Sequence, residues 1–143
     1  MKYINMLVTS LALSISLLSL NAVAGDMSAT KEKLVMQVSD NDSAKWNLAL
    51  NNAKNLQQAY GPDGIDIEIV TYGPGVNMLK LDSTAGNRVA EAKESGVAIV
   101  ACQNTMKNMK LTEADMLPNT SYVPAGVVEI INKQRAGYAY IRP

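Results

Sequence analysis

Histidine is absent from the 143 residues and cysteine occurs once, at Cys102. Without histidine there is no Ser-His-Asp or Cys-His pair, no imidazole metal ligand and no imidazole proton shuttle. With one cysteine the chain cannot form an internal disulfide, a C-x-x-C redox pair or a thiolate zinc cage. An excess of one charge is lacking too: 13 Lys and Arg balance 13 Asp and Glu, and aromatic residues make up only 5%. Nucleic-acid binding shows as a basic stripe with interleaved aromatics, so that class of partner is set aside. These absences leave Cys102 as the one side chain suited to sulfur chemistry, with no metal and no cofactor expected.

A long hydrophobic run occurs only at the N-terminus. Lys2 precedes an apolar stretch from Leu7 to Leu20 broken only by Ser and Thr, and Ala22-Val23-Ala24 supplies a small-x-small cleavage site. Residues 1–24 read as a signal peptide, cut near Ala24. The stretch is shorter than the roughly 20 residues a membrane span needs, and nothing after Gly25 approaches that length, so no membrane partner is expected. A lipid anchor would need a cysteine directly after the cleavage site, where Gly25 stands. The expected location is the periplasm or the medium. Removing residues 1–24 of the 143 leaves about 119, a chain of one-domain size, and removing Lys2 leaves 12 basic against 13 acidic residues. An exported domain without a disulfide is held by its core alone, and by self-association where that core is thin.

From there the chain alternates. Residues 25–32 are small and polar and read as a flexible lead-in, with the domain spanning 33–143. Leu34, Val35, Met36 and Val38 form a short apolar strand, and Asp40-Asn41-Asp42-Ser43 supplies turn and N-cap chemistry. Trp46, Ala49, Leu50, Ala53, Leu56 and Tyr60 then recur at helical spacing up to Gly61-Pro62. A second strand runs from Ile65 to Tyr72 and breaks at Gly73-Pro74-Gly75. Val76 to Leu79 reads as one helical turn, and a second helix covers about Ala85 to Glu94. Val97 to Ala101 is the most apolar run after the N-terminus, a central strand that ends at Cys102. Short helical turns at Thr105 to Met109 and from Thr112 lead to a brief strand at Tyr122-Val123. A helix over Pro124 to Arg135 and a last strand over Tyr138 to Ile141 complete the pattern. Strands separated by helices imply βαβ crossovers, hence an α/β fold: a single-domain three-layer sandwich around a mainly parallel sheet of about five strands.

In such sheets ligands bind outside the carboxyl ends of the strands. Three loops fall there: Ser39 to Asp42, Tyr72 to Asn77 and Cys102 to Thr105. A thiol at a strand end, followed by the amides of Gln103, Asn104 and Thr105 opening a helical turn, sits where a thiolate is stabilised. The competing reading is a small buried hydrophobe continuing Val97 to Ala101, since cysteine is among the most buried residue types. Gly73-Pro74-Gly75, with Asn77 after it, could bring backbone amides near an anion or acyl group, but it lacks a nucleotide fingerprint and on spacing alone a rigid turn is the preferred reading. Asp40, Asn41 and Asp42 fall short of a calcium loop and are explained by capping. Met106 and Met109 could offer sulfur to Cu(I) beside Cys102, whereas helical spacing of methionine is expected of packing alone.

Three segments together resemble DsrE/DsrF-like proteins: Val97 to Met106, Tyr72 to Asn77, and Val123-Pro124-Ala125-Gly126-Val127-Val128-Glu129 through Gly137 to Pro143. The resemblance covers about Lys33 to Pro143. It implies a flavodoxin-like layout, assembly as a homo-oligomer (trimer or hexamer), and a role for Cys102 as the residue that accepts sulfur as a persulfide. The chain thus resembles an exported, signal-peptide-bearing member of that family. The function expected is a sulfur carrier or sulfurtransferase with a sulfur donor or acceptor as partner. In that expectation Gln103, Asn104 and Thr105 surround the anion, Gly73, Pro74, Gly75 and Asn77 form the opposite wall, and Asp40 lies on the same edge. The alternative is a non-enzymatic oligomeric module that binds a small ligand or protein in that cleft, with Cys102 as a core residue.

Overall fold

A computed structural model describes residues 30–143; residues 1–24, read as a signal peptide, and residues 25–29, read as part of a lead-in, lie outside the described residues. The strands are β1 (Glu32–Val38), β2 (Ile65–Thr71), β3 (Ala98–Cys102), β4 (Ser121–Val123) and β5 (Ala139–Ile141). The helices are α1 (Ser43–Tyr60), α2 (Gly86–Glu94), α3 (Gln103–Asn108) and α4 (Gly126–Arg135), with 3-10 helices at Gly73–Leu79 and Glu113–Asp115. β1 starts at Glu32, one residue inside the stretch read as lead-in, because the Glu32 amide donates to the Gly64 carbonyl at 2.9 Å. Asp42 caps α1 by accepting from the Ala44 amide at 2.8 Å, and Trp46, Ala49, Leu50 and Ala53 turn inward at helical spacing.

All four strand pairings are parallel, in the order β4-β3-β2-β1-β5. The chain steps in one direction from β1 to β4, then returns across the whole sheet to place β5 beside β1. Right-handed crossovers put connections that run in opposite directions on opposite faces. The two core clusters follow that rule. α1, α2 and α3 bury Leu50, Val89 and Met106 against Met36, Ile69 and Ile99 on the first face. On the second face α4 stands alone, with Ile130 against Val35, Val70 and Val100. The fold is therefore a single α/β domain of flavodoxin-like layout, with one thick helical layer and one thin one. Among the described residues, no helix is long and apolar enough to cross a membrane.

The segment after β2 departs from its expected form. Gly73-Pro74-Gly75 is the first turn of a 3-10 helix continuous with Val76 to Leu79, where the sequence suggested a break followed by one helical turn. Proline in the first turn supplies a φ suited to a helix start and lacks only an amide that would be unpaired there. The 3-10 helix lies directly over the end of β1, so that a Cβ on Gly75 would come within 2.2 Å of the Val38 carbonyl oxygen. That oxygen is backbone and accepts from the Tyr72 amide at 3.2 Å, so it cannot move without loosening the start of the loop. Gly75→Ala is expected to destabilise the domain by about 2 kcal/mol or more, in the range of overpacking a tight interior, measured by urea unfolding. A loss near zero would show that the loop has room to lift.

Candidate functional site

β3 and β4 are neighbours, with Cys102 in register with Val123. From Cys102 the chain enters α3 on the first face, and from Val123 it enters α4 on the second. Adjacent parallel strands whose continuations leave to opposite faces open a crevice at their carboxyl ends, the usual ligand position in open α/β sheets. Cys102 stands in that crevice.

The thiol is 5% exposed and sits at the N-cap position of α3. Burial pushes its pKa up. The Thr105 side chain and the backbone amides of Gly126, Thr105 and Asn104 act against burial and together prevail, so the thiol is more acidic than an ordinary cysteine. The four donors are neutral, so the anion is held by oriented dipoles rather than by a salt bridge.

Each donor has its own reason to be there. Asn104 and Thr105 open α3, whose first amides have no intrahelical partners. Asn104 also donates to the Pro124 carbonyl at 3.2 Å, tying the start of α3 to the β4–α4 turn. The Thr105 hydroxyl accepts from the Gly73 amide at 2.9 Å, which leaves its single proton for the sulfur. Gly126 begins α4, and its missing side chain lets the helix come down on β2: a Cβ there would meet the Tyr72 Cβ at 3.0 Å and the Val70 Cγ1 at 3.2 Å.

The expected site residues divide accordingly. Asn104, Thr105 and Gly73 converge on Cys102, Gly73 acting through Thr105. Pro74 and Asn77 join Gly73, Thr105, Asn108 and Met109 around an open depression of about 330 Å³ that meets the thiol site at Thr105. Gly75 faces β1 instead. Gln103 is exposed and lines a separate depression with Met106, Lys107 and Tyr122. Asp40 is a structural clasp: its carboxylate pairs with Lys45 at 3.1 Å and Arg142 at 3.2 Å, which holds the end of β5 to the β1–α1 turn. Those two partners keep its carboxyl below the usual range. Met106 packs in the first core, as its helical spacing implies.

Gly126 is the residue near Cys102 that sequence reasoning did not place in the candidate site. Its signal was a small-residue pair, Ala125-Gly126, between an apolar strand and an apolar helix. What hid it was strand order, since nothing local indicates that the start of α4 faces the end of β3.

The family model for DsrE/DsrF-like proteins matches residues 32–143. The chain belongs to the DsrE/DsrF-like family. A solved structure of the same fold, a protein of unknown function from Methanobacterium thermoautotrophicum, is 33% identical. The match covers 79% of this chain and 100% of that one, with a TM-score of 0.75. A conserved protein of unknown function from Bacteroides thetaiotaomicron shares the fold at 17% identity and a TM-score of 0.63, over 78% of this chain and 95% of the other. No curated protein matches the chain. Membership supports a sulfur-relay role at the level of the family.

Thr105→Val keeps the shape of the side chain and removes the hydroxyl, so the thiol loses its side-chain donor and the Gly73 amide loses its acceptor. The midpoint of the pH–rate curve for alkylation by iodoacetamide is expected to move to higher pH, slowing the reaction severalfold at neutral pH. An unchanged midpoint would remove Thr105 from the set of donors.

Proposed function

We propose that this protein is a sulfur carrier in which Cys102 receives sulfur as a persulfide and hands it to an acceptor thiol. One observation carries the reading: the sole cysteine of a DsrE/DsrF-like chain sits at the N-cap of α3 beside the start of α4, where the Thr105 hydroxyl and the amides of Gly126, Thr105 and Asn104 make its thiol more acidic than an ordinary cysteine's despite burial. The thiolate attacks the terminal sulfur of a donor persulfide, R–S–SH. A sulfur–sulfur bond forms to Cys102, the bond within the donor breaks, and the donor leaves as RS⁻ with the electron pair. The acceptor thiolate then attacks the terminal sulfur on Cys102, and the Cys102 thiolate leaves. Neither step requires an oxidant, a metal or a general base, in keeping with a chain that has no histidine. The same donors that hold the thiolate hold it again as the leaving group.

The reading includes export, on the pattern of Lys2, Leu7 to Leu20 and Ala22 to Ala24, and self-assembly. Exposed Val127, Val128 and Ile131 on α4 support assembly, being more apolar surface than one short helix usually leaves uncovered. A second reading, a ligand-binding module with Cys102 as core, is favoured by one observation, the low exposure of that residue.

A single experiment decides between them. Incubated with a sulfane-sulfur donor, the native protein is expected to gain the mass of one sulfur atom and to lose it on adding a thiol, while Cys102→Ser gains none. No gain on the native protein, or an equal gain on Cys102→Ser, overturns the carrier.

A further inference from the structure

The second face of the sheet contains a charge where aliphatic residues would pack at lower cost. Glu68 lies within the apolar strand β2 at 6% exposure, beside Val35 of β1 and Ala98 of β3. One carboxylate oxygen meets the Lys133 ammonium at 2.6 Å, and the other, Oε1, is buried without a partner. Desolvation of such a pair offsets most or all of its attraction, and replacing both members by well-packed aliphatic residues is often neutral or stabilising. Stability alone therefore does not account for it. What a charged pair has and four aliphatic contacts lack is direction.

Direction matters for α4 in particular. Gly126, Ile130 and Lys133 follow one another at intervals of four and three, so they share the face turned to the sheet. The first opens the helix just after the β4–α4 turn, which lies at Cys102 through the Cys102–Val123 register and the Asn104 amide on the Pro124 carbonyl at 3.2 Å; the second is the helix's one buried large side chain, and the third reaches Glu68. Between helix and sheet the buried cluster is small, Ile130 of α4 against Val35, Val70 and Val100, with the half-buried Tyr72, Val123 and Tyr138 at its margin. Smooth aliphatic packing of that size resists separation well and sliding or rolling poorly. The groups around the ion pair extend the same restraint: Glu129 lies 3.7 Å from the Lys133 ammonium, and the Tyr138 ring has Lys133 at 5.0 Å and Lys33 at 5.7 Å.

We propose that Glu68 and Lys133 are positioning residues for the thiol site, fixing the axial and rotational setting of α4 so that the Gly126 amide stays against Cys102. The restraint acts from seven residues along the helix, about 10 Å away at the α-helical rise. The inference rests on the reading of Cys102 as a working thiolate, and it is separable from sulfur transfer because it concerns only thiol acidity.

The test replaces both charges at once, Glu68→Leu with Lys133→Met, so that neither is left buried and unpaired. The pH–rate curve of Cys102 alkylation by iodoacetamide and the thermal unfolding midpoint are measured on the intact protein. The double variant is expected to unfold at or above the native temperature while its alkylation midpoint moves to higher pH, in the direction of Thr105→Val and whatever the plateau rate becomes. Lys133→Arg, which retains the pair, is expected to keep the native midpoint. Ile130→Val, a packing change in the same helix, is expected to lower the unfolding temperature and leave the midpoint alone. A folded double variant with an unchanged midpoint overturns the proposal. Should the double variant fail to fold, Glu68→Leu alone removes the contact while the partly exposed Lys133 turns to solvent, and an unchanged midpoint again overturns the proposal. A native protein that takes up no sulfur, yet shows these shifts, loses the carrier function and keeps the positioning pair.

Discussion

Backbone amides at the start of a helix have no partners within it, and in this domain the starts of two helices fall against one sulfur atom. β3 and β4 lie side by side, and their continuations part to opposite faces of the sheet. Parting of that kind brings the first turns of α3 and α4 to the same crevice from opposite sides. The amides of Asn104 and Thr105 arrive with α3 and that of Gly126 with α4. A side chain that can become an anion at that point is stabilised by neutral donors, and cysteine there becomes more acidic despite its burial. The chain has neither histidine nor a second cysteine to assist it, so the acidity of Cys102 comes from chain geometry.

The Thr105 hydroxyl joins this arrangement to the rest of the sheet edge. It takes the Gly73 amide as a donor and leaves its proton for the sulfur, so the segments leaving β2 and β3 meet through one oxygen atom, while the Asn104 amide ties the segment leaving β4 to the same place. Gly73 in turn begins the 3-10 helix that Gly75 seats against the end of β1. The setting of the thiol thus depends on four of the five strand ends. The fifth, β5, is held separately by Asp40 through Arg142, away from the sulfur. This division explains why two loops that look alike in the sequence, both polar and both at strand ends, differ in role: one completes the electrostatics of the site and the other ties off the sheet.

The order and type of the elements were legible because they rest on local chemistry. The apolar runs of β1, β2 and β3 and the helical spacing of Trp46, Ala49, Leu50 and Ala53 each contain their own signal. The place of Cys102 at the end of a central strand followed from the same signals. Three features did not follow. Proline inside Gly73-Pro74-Gly75 suggests a break from composition, while its position at the start of a 3-10 helix depends on the close approach to Val38. Gly126 enters the site only because β4 is the neighbour of β3, a fact about strand order. Glu68 passes unnoticed in an apolar strand, since its partner lies on α4, more than sixty residues further along the chain.

The asymmetry of the two faces bears on how such a site is kept in register. The first face binds its helices with a broad apolar cluster, and a helix lodged among many interlocking side chains has one setting. The second face has one helix that sets its own Ile130 on three buried valines of the sheet, with Val127, Val128 and Ile131 of that helix turned outward. Packing of that extent specifies which face of α4 meets the sheet more firmly than how far along the sheet it sits. Yet the stabilisation that the Gly126 amide lends the thiol weakens steeply with misalignment. A directional contact at the far end of the helix resolves that mismatch, and an ion pair with one unpartnered oxygen is an energetically expensive way to obtain it. Its cost is intelligible where the position of a helix, rather than its adherence, is what the thiol requires.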